Sequence, residues 1–445
     1  MRTLYSRRKA TLTWLLLVAF LIRFSAVLAL RDIHAGPGDE MGADGIEFNM
    51  LALQVAHGLG YTWGHSPTIS PHSVGHPTAF RAPGFPLFLA IIYAIAGENY
   101  VLAYLSFCLL GTLSCLLTYL LARELFSARQ ALLSTTLAVV YLPGVYNATV
   151  FASENLFIPC MALGLWFFIR YLKKPSSKLL ILCGLTLGWG TLTRPFTLLL
   201  LPILLGLLTL HQRRQQTKIM PHSAAHPALK IGAPARSSKG SVLAAGILFT
   251  VSFLMVVLPW TARNYAVYHK LALVATNGGS TFYGANNTRV LKELPHLGSW
   301  ISTTELPGRS AIVATPDEVA HDKMEWKLGF AWVRQNLASM PLLCFYKFLR
   351  LWLPDVESGN KKYVFLQVVG YTPFLLLYIV GFIHCWRHRR YCTMPWWAVH
   401  STLLATVLMA LIFWGSPRFR DANMPILLLY ATIGWEALRA RRRSA

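Results

Sequence analysis

The chain has 445 residues, 55% of them hydrophobic and 13% charged, with a formal net charge of +23. A mean hydropathy of +0.46 and recurrent apolar runs of bilayer-spanning length exclude an ordinary soluble domain and indicate a polytopic membrane protein. So large a basic excess would suit nucleic acid only if it clustered on one surface, and its distribution follows the membrane instead.

Residues 10–30 form the first apolar run, behind Arg2, Arg7, Arg8 and Lys9. The run is long and lacks a small-residue cleavage site, so it reads as an uncleaved span with a cytoplasmic N-terminus. The loop 31–99 then faces outward. It carries Asp39, Glu40, Asp44 and Glu47, and later Arg81 within TAFRAPGFP. Its last part, 83–96, is too short to span and predicts a helix lying in the outer interface, with Pro83 and Pro86 in the first turn. Further spans are expected at 100–121, 131–147, 156–172, 179–192, 196–210 and 242–260. The hairpin between the fifth and sixth spans turns outward at Thr193-Arg194-Pro195, and the basic, acid-free stretch 211–240 is a cytoplasmic linker.

Residues 261–363 make the longest outward segment. KLALVAT and TFYGANN on either side of NGGS predict a strand, a turn and a second strand. The run WKLGFAWVRQNLASMPLLCFYKFLRLWLP predicts one or two amphipathic interfacial helices. Spans at 365–386, 396–414 and 422–438 complete a set of ten, with a basic cytoplasmic tail. The organisation expected is a transmembrane catalytic module at 1–260, the extracytoplasmic segment at 261–363, and the C-terminal helices at 364–445.

Counting charges tests this arrangement. It places 23 Lys and Arg but only Glu124 and Glu436 in the cytoplasm, against 17 Lys and Arg and 16 acids outside, with Arg23 inside the first span. The basic excess is therefore a topological signal, and nucleic-acid binding drops out. Acid–base chemistry belongs outside, where the carboxylates are.

Asp44 heads the helical stretch IEFNMLALQVAHGLG, where it could complement the helix dipole or act as a general base. Asp39, Glu40 and Glu47 read as bystanders. Arg81, Lys347, Arg350, Arg418 and Arg420 all sit at headgroup depth, as interfacial anchors or as ligands of a phosphate leaving group. Glu154 heads an apolar span, with the same choice as Asp44. His57, His65, His72 and His76 share a loop without helix-spaced pairing, and the seven cysteines form no metal spacing, so neither set predicts a metal site.

The ordered motifs carry a resemblance. Asp44 ahead of F-x-x-L-A, RAPGFPLFLA, LLARELF, SENLF, P-W-x-x-R-N-Y with Arg263, TNGG with Asn277, and PRFR together resemble the GT-C class of membrane glycosyltransferases. The particular likeness is to the bacterial relatives of protein O-mannosyltransferases and of the lipid A aminoarabinose transferase (glycosyltransferase families 39 and 83). The resemblance implies an all-α polytopic fold of about ten transmembrane helices, with outward interfacial helices and a small extracytoplasmic α/β segment. It implies inverting transfer of a sugar from a polyprenyl-phosphate donor to a lipid, glycan or protein acceptor, in the inner (plasma) membrane, with both termini cytoplasmic and the active site extracytoplasmic. Asp44 and Glu154 then match the catalytic acidic positions. Arg81 matches the donor-phosphate position, with Lys347, Arg350, Arg418 and Arg420 beside it and Arg194, Arg263 and Asn277 as further candidates. Gly45 stands where the eukaryotic O-mannosyltransferases have a second acid, which weighs against a protein acceptor. A divalent metal is compatible but not required. A transporter or flippase of lipid-linked saccharides is the alternative, but it would place ionisable groups deep in several spans, where only Arg23 is found.

Overall fold

The computed structural model describes residues 2–38, 43–65, 73–219, 239–315, 317–354 and 361–444. Asp39, Glu40 and His72 lie outside them. In chain order the helices are α1 (Arg2–Leu30), α2 (Ala43–Ala56), α3 (Gly84–Ala96), α4 (Tyr100–Leu125), α5 (Ala128–Val139), α6 (Leu142–Asn147), α7 (Glu154–Lys173), α8 (Ser177–Thr193), α9 (Thr197–Ile219) and α10 (Lys239–Tyr268). They continue as α11 (Gly278–Ala285), α12 (Thr288–Lys292), α13 (Arg309–Val313), α14 (Glu318–Gln335), α15 (Met340–Trp352), α16 (Lys361–Arg387), α17 (Met394–Ile412), α18 (Pro417–Asp421) and α19 (Met424–Ser444).

This is an all-α polytopic membrane protein. Among the described residues six helices, in α1, α4, α7, α10, α16 and α17, are long and apolar enough to cross a membrane. The other expected spans correspond to α5–α6, α8, α9 and α19, which are shorter or end in polar, basic turns. The expected span 131–147 is divided between α5 and α6. Tyr141 caps the second piece in an extended conformation and Pro143 sits in its first turn, where a missing N–H costs nothing.

Lipid offers no hydrophobic reason for helices to associate, so close van der Waals packing does it. The pair Gly184 and Gly188 on α8 shows how. A methyl group on either would come within 2.7–2.9 Å of Phe249, Ser252, Phe253 or Val256 on α10. The main core gathers along α4, α5, α7, α8, α16, α17 and α19. A second cluster, with Phe48, Phe85, Phe107 and Phe151 at its centre, sits under α2 and α3. Buried Arg23 turns back to the Ala19 carbonyl at 3.0 Å and to Cys115 Sγ at 3.4 Å.

The segment 261–363 departs from expectation. Among the described residues there is no strand, only an isolated bridge between Thr62 and Pro77. KLALVAT is irregular, with bends, and its carbonyls pair with side chains of α10. Asn264 donates to the Ala272 carbonyl, Thr261 to Leu273 and Trp260 to Val274, at 2.7–3.0 Å. Gly278 and Gly279 do not turn a hairpin but open α11, so TFYGANN is mostly helix. The predicted amphipathic pair is present as α14 and α15, separated by a short 3-10 turn at Leu337–Ser339.

Candidate active site

The first turn of α2 sets the site. Asp44 and Glu47 are three residues apart, so both carboxylates lie on one face. Arg81 reaches that face from the loop before α3. Its Nη2 meets Asp44 Oδ1 at 2.8 Å and its Nε donates to Glu47 Oε2 at 2.6 Å. Glu47 is therefore no bystander, since it fixes the guanidinium that Asp44 also holds. Phe80 and Phe48 pack against the same guanidinium.

A close contact three residues beyond Arg81 sets its position. Gly84 lies against the end of α8, where an added Cβ would stand 2.5 Å from Thr193 Oγ1 and 2.7 Å from the Thr193 nitrogen. This contact brings RAPGFP and the hairpin tip Thr193-Arg194-Pro195 into one neighbourhood. Arg194 Nη1 lies 2.5 Å from Glu154 Oε1. The alignment is too poor for a hydrogen bond, so that nitrogen is paired by charge alone. Glu154, 1% exposed, opens α7.

The short helix α18 supplies the bridge. Arg418 donates from Nε and Nη2 to the two oxygens of Glu154 at 2.8 and 3.2 Å, and from Nη1 to Asp44 Oδ2 at 2.8 Å. One fork-shaped guanidinium thus ties two carboxylates from distant parts of the chain, a geometry that lysine could not reproduce. Burial pushes the Asp44 carboxyl upward, but Arg81 and Arg418 outweigh burial and hold it below the ordinary carboxylate value. In return the guanidiniums of Arg81 and Arg418 are raised against the same burial.

These groups line a cavity of about 770 Å³. Asp44, Arg81, Arg194 and Arg418 form one charged end of it, and Phe157, Phe196, Leu198, Leu273, Met409 and Phe419 supply an apolar side. Asn277 lines it as well. Lys347, Arg350 and Arg420 are placed elsewhere. Fully buried Lys347 donates to Asn286 Oδ1 and the Leu411 carbonyl, and burial pushes its ammonium down to about 7. Arg350 donates to the Pro295 and Leu297 carbonyls. Arg420 pairs with Asp421 at 2.9 Å and stacks on Tyr371, which anchors α18 from behind. Arg263 holds the first loop through the Thr78 and Tyr61 carbonyls at 2.8 and 2.9 Å.

The described residues, as arranged, do not fit a divalent cation. Among the described residues no three His, Cys, Asp or Glu side chains gather, and the space between Asp44 and Glu154 is taken by Arg418.

Comparisons with known proteins bear on the fold. A sequence model of the dolichyl-phosphate-mannose-protein mannosyltransferase family matches residues 76–237, a little over a third of the chain. The oligosaccharyltransferase AglB of Archaeoglobus fulgidus, in complex with an inhibitory peptide and a dolichol-phosphate, superposes with a TM-score of 0.55 at 14% identity. The match covers 98% of this chain and 52% of AglB. The fold is that of a GT-C glycosyltransferase. The same archaeal enzyme in complex with zinc and sulfate matches with a TM-score of 0.55 at 13% identity, over 97% of this chain and 49% of that one. This chain thus spans about half the length of the archaeal protein. ArnT of Cupriavidus metallidurans, bound to undecaprenyl phosphate, gives a TM-score of only 0.38 at 15% identity, covering 96% of this chain and 78% of ArnT. No curated protein sequence matches the chain.

The GT-C likeness read from the sequence therefore holds at the level of fold. Of the candidates, Asp44, Arg81, Glu154, Arg194 and Arg418 come together and Asn277 lies nearby. Sequence reasoning misses the contact of Glu47 with Arg81 and the cavity-facing side chains of α14. The one-turn spacing of Asp44 and Glu47 is a usable signal for the first. Nothing in the sequence brings α14 to the cavity.

Proposed function

We propose that this protein is an inverting glycosyltransferase. It moves a sugar from a polyprenyl-phosphate donor to a lipid, glycan or protein acceptor on the extracytoplasmic face of the inner membrane, with both termini in the cytoplasm. One observation carries the reading. Arg81, Arg194 and Arg418 converge with Asp44 on a cavity that also has an apolar side, which suits a lipid-linked phosphate.

A polyprenyl phosphate is already a workable leaving group, so the protein needs a base for the acceptor and fixed cations for the charge that develops on phosphate. Asp44 accepts the proton of the acceptor hydroxyl. The hydroxyl oxygen attacks the anomeric carbon from the side away from phosphate, the bond from that carbon to the phosphate oxygen breaks, and the configuration inverts. The departing phosphate takes the electron pair and is held by Arg81 and Arg418, with Arg194 beside them. Glu47 and Glu154 aim these guanidiniums and take no part in the proton transfer. That the matched archaeal structure contains dolichol-phosphate supports this assignment of the donor.

The test is transfer by purified protein in lipid nanodiscs, with a radiolabelled polyprenyl-phosphate sugar and a cell-envelope extract as acceptor. Asp44→Asn should lower turnover by at least about 10²-fold, the scale of a lost general base, with donor binding retained. Near-normal turnover would remove Asp44 from the role.

A further inference from the structure

The cavity has a second lining that the arginine cluster does not explain. Asn277, Thr281, Trp300, Asp322, Lys323 and Trp326, from α11, α14 and the segment between them, face the same space. Trp326 is a fixed plate, stacked on Phe282 at 4.7 Å and Phe330 at 5.5 Å, with Phe413 edge-on at 6.0 Å. Asp322 Oδ1 accepts from the Gly279 nitrogen at 2.5 Å, and Gly279 permits this contact because an added Cβ would stand 2.1 Å from the Asp322 carbonyl. The wall is tied to the loop that carries Arg81. Glu318, at the start of α14, accepts from Thr78 Oγ1 at 2.6 Å and from the Ala79 nitrogen at 3.0 Å.

Planar aromatic surface beside a carboxylate, an amide and a hydroxyl is the chemistry that recognises a sugar ring, through its C–H face and its paired hydroxyls. A peptide acceptor held by backbone pairing would need a sheet edge. Among the described residues there is no strand to offer one. Attack in line with the departing phosphate also puts the acceptor on the far side of the transferred sugar. Its contacts must therefore come from cavity residues other than the arginines.

We propose that this α11–α14 wall is the acceptor subsite and that it takes a saccharide. The proposal rests on the glycosyltransferase reading above. Trp326 stacks on the ring, and Asn277, Thr281 and Asp322 pair with its hydroxyls.

The test uses the full chain in nanodiscs containing undecaprenyl phosphate, with saturation-transfer NMR as the readout. The probes are methyl α-mannoside, methyl β-galactoside, N,N'-diacetylchitobiose and a threonine-containing hexapeptide. At least one saccharide should bind. Trp326→Ala should weaken it at least tenfold and Asn277→Ala several-fold, while Trp326→Phe retains most of the affinity. Undecaprenyl phosphate binding should be unchanged in all three, which also verifies folding. The proposal is overturned if no saccharide binds, if these variants leave saccharide binding unchanged or also lose the lipid, or if the peptide alone competes for the wall. Arg81→Ala separates the two readings. It should reduce lipid binding while the saccharide affinity stays within twofold, and an unchanged lipid affinity would count against the donor assignment and not against the wall.

Discussion

At Asp44 one carboxylate anchors two arginines and, in the mechanism proposed above, also accepts a proton. With Arg81 and Arg418 in place its folded value is depressed, so it is ionised throughout the neutral range. The stability it contributes is present above the ordinary carboxylate value and is lost only as pH falls through the depressed one. The groups that set it are Arg81 and Arg418, opposed by burial and by Glu154. Arg418→Gln removes one lowering charge and leaves burial unopposed by it. The acid limb of kcat/KM should then move upward by about one pH unit or more, the scale of one close opposite charge. A limb that stays put would mean that Arg418 does not act on the base. Residue identity alone could not have separated Arg418 from Arg420. They sit two positions apart in PRFR, yet one faces Asp44 and Glu154 while the other is spent on Asp421 and Tyr371. Lys347 was equally ambiguous, because a cation at headgroup depth can satisfy buried carbonyls as readily as a phosphate.

Among the elements, α3 and the tip of α8 make the contact that fixes the arginine-lined end of the cavity. Its reach is short because position 84 has no side chain. Gly84→Ala would force a methyl group into Thr193 and Leu192, at distances under 3 Å from backbone atoms that cannot rotate away. The expected outcome is a loss of about 1–3 kcal/mol of stability from overpacking, with α3 displaced and Arg81 drawn away from Arg194. Thermal unfolding should show the first effect, and at least a tenfold weaker affinity for polyprenyl phosphate the second. Loss of stability with full affinity would break the link between this crossing and Arg81. The same scale explains which elements could be read in advance. The short interfacial helix α3, the first-loop helix α2 and the pair α14 and α15 follow from apolar length and periodicity, which are local. The expected strand, turn and second strand at 270–287 fail because strand propensity only says that a segment can lie extended on a half-buried surface. Here that surface is α10, whose Trp260, Thr261 and Asn264 side chains take the carbonyls a second strand would have taken.

For the whole molecule, two parts of the chain must stay in register. The charged cluster comes from α2, the loop before α3, α7, α8 and α18, whereas the proposed saccharide wall comes from α11 and α14. Topology is a first requirement. Reporter fusions should place residue 129 in the cytoplasm and residue 284 outside, since the charge asymmetry, about +21 on one side against about +1 on the other, depends on that arrangement. An outward signal after Arg129 would invert the assignment. The mechanical link is Glu318. Besides Thr78 and Ala79, its carboxylate accepts from Trp63 Nε1 at 3.0 Å, Tyr268 Oη at 3.0 Å and Thr276 Oγ1 at 3.1 Å. Five donors from two distant stretches meet on one side chain. Asp317 caps the same helix and pairs with Lys270 at 2.5 Å. Glu318→Ala would leave those donors without their common acceptor, at a cost of at least about 2 kcal/mol. Glu318→Gln keeps one acceptor oxygen and places an amide where donors already crowd, so it should fall between wild type and alanine. A merely structural role would lower stability and leave the kinetics of the folded fraction unchanged. If Glu318 instead holds the wall at a working distance from Arg81, the folded variants should show a raised KM for donor and acceptor together. The kcat per folded molecule should fall less than it does in Asp44→Asn. Unchanged KM values in a stably folded Glu318→Gln protein would reduce the residue to scaffolding.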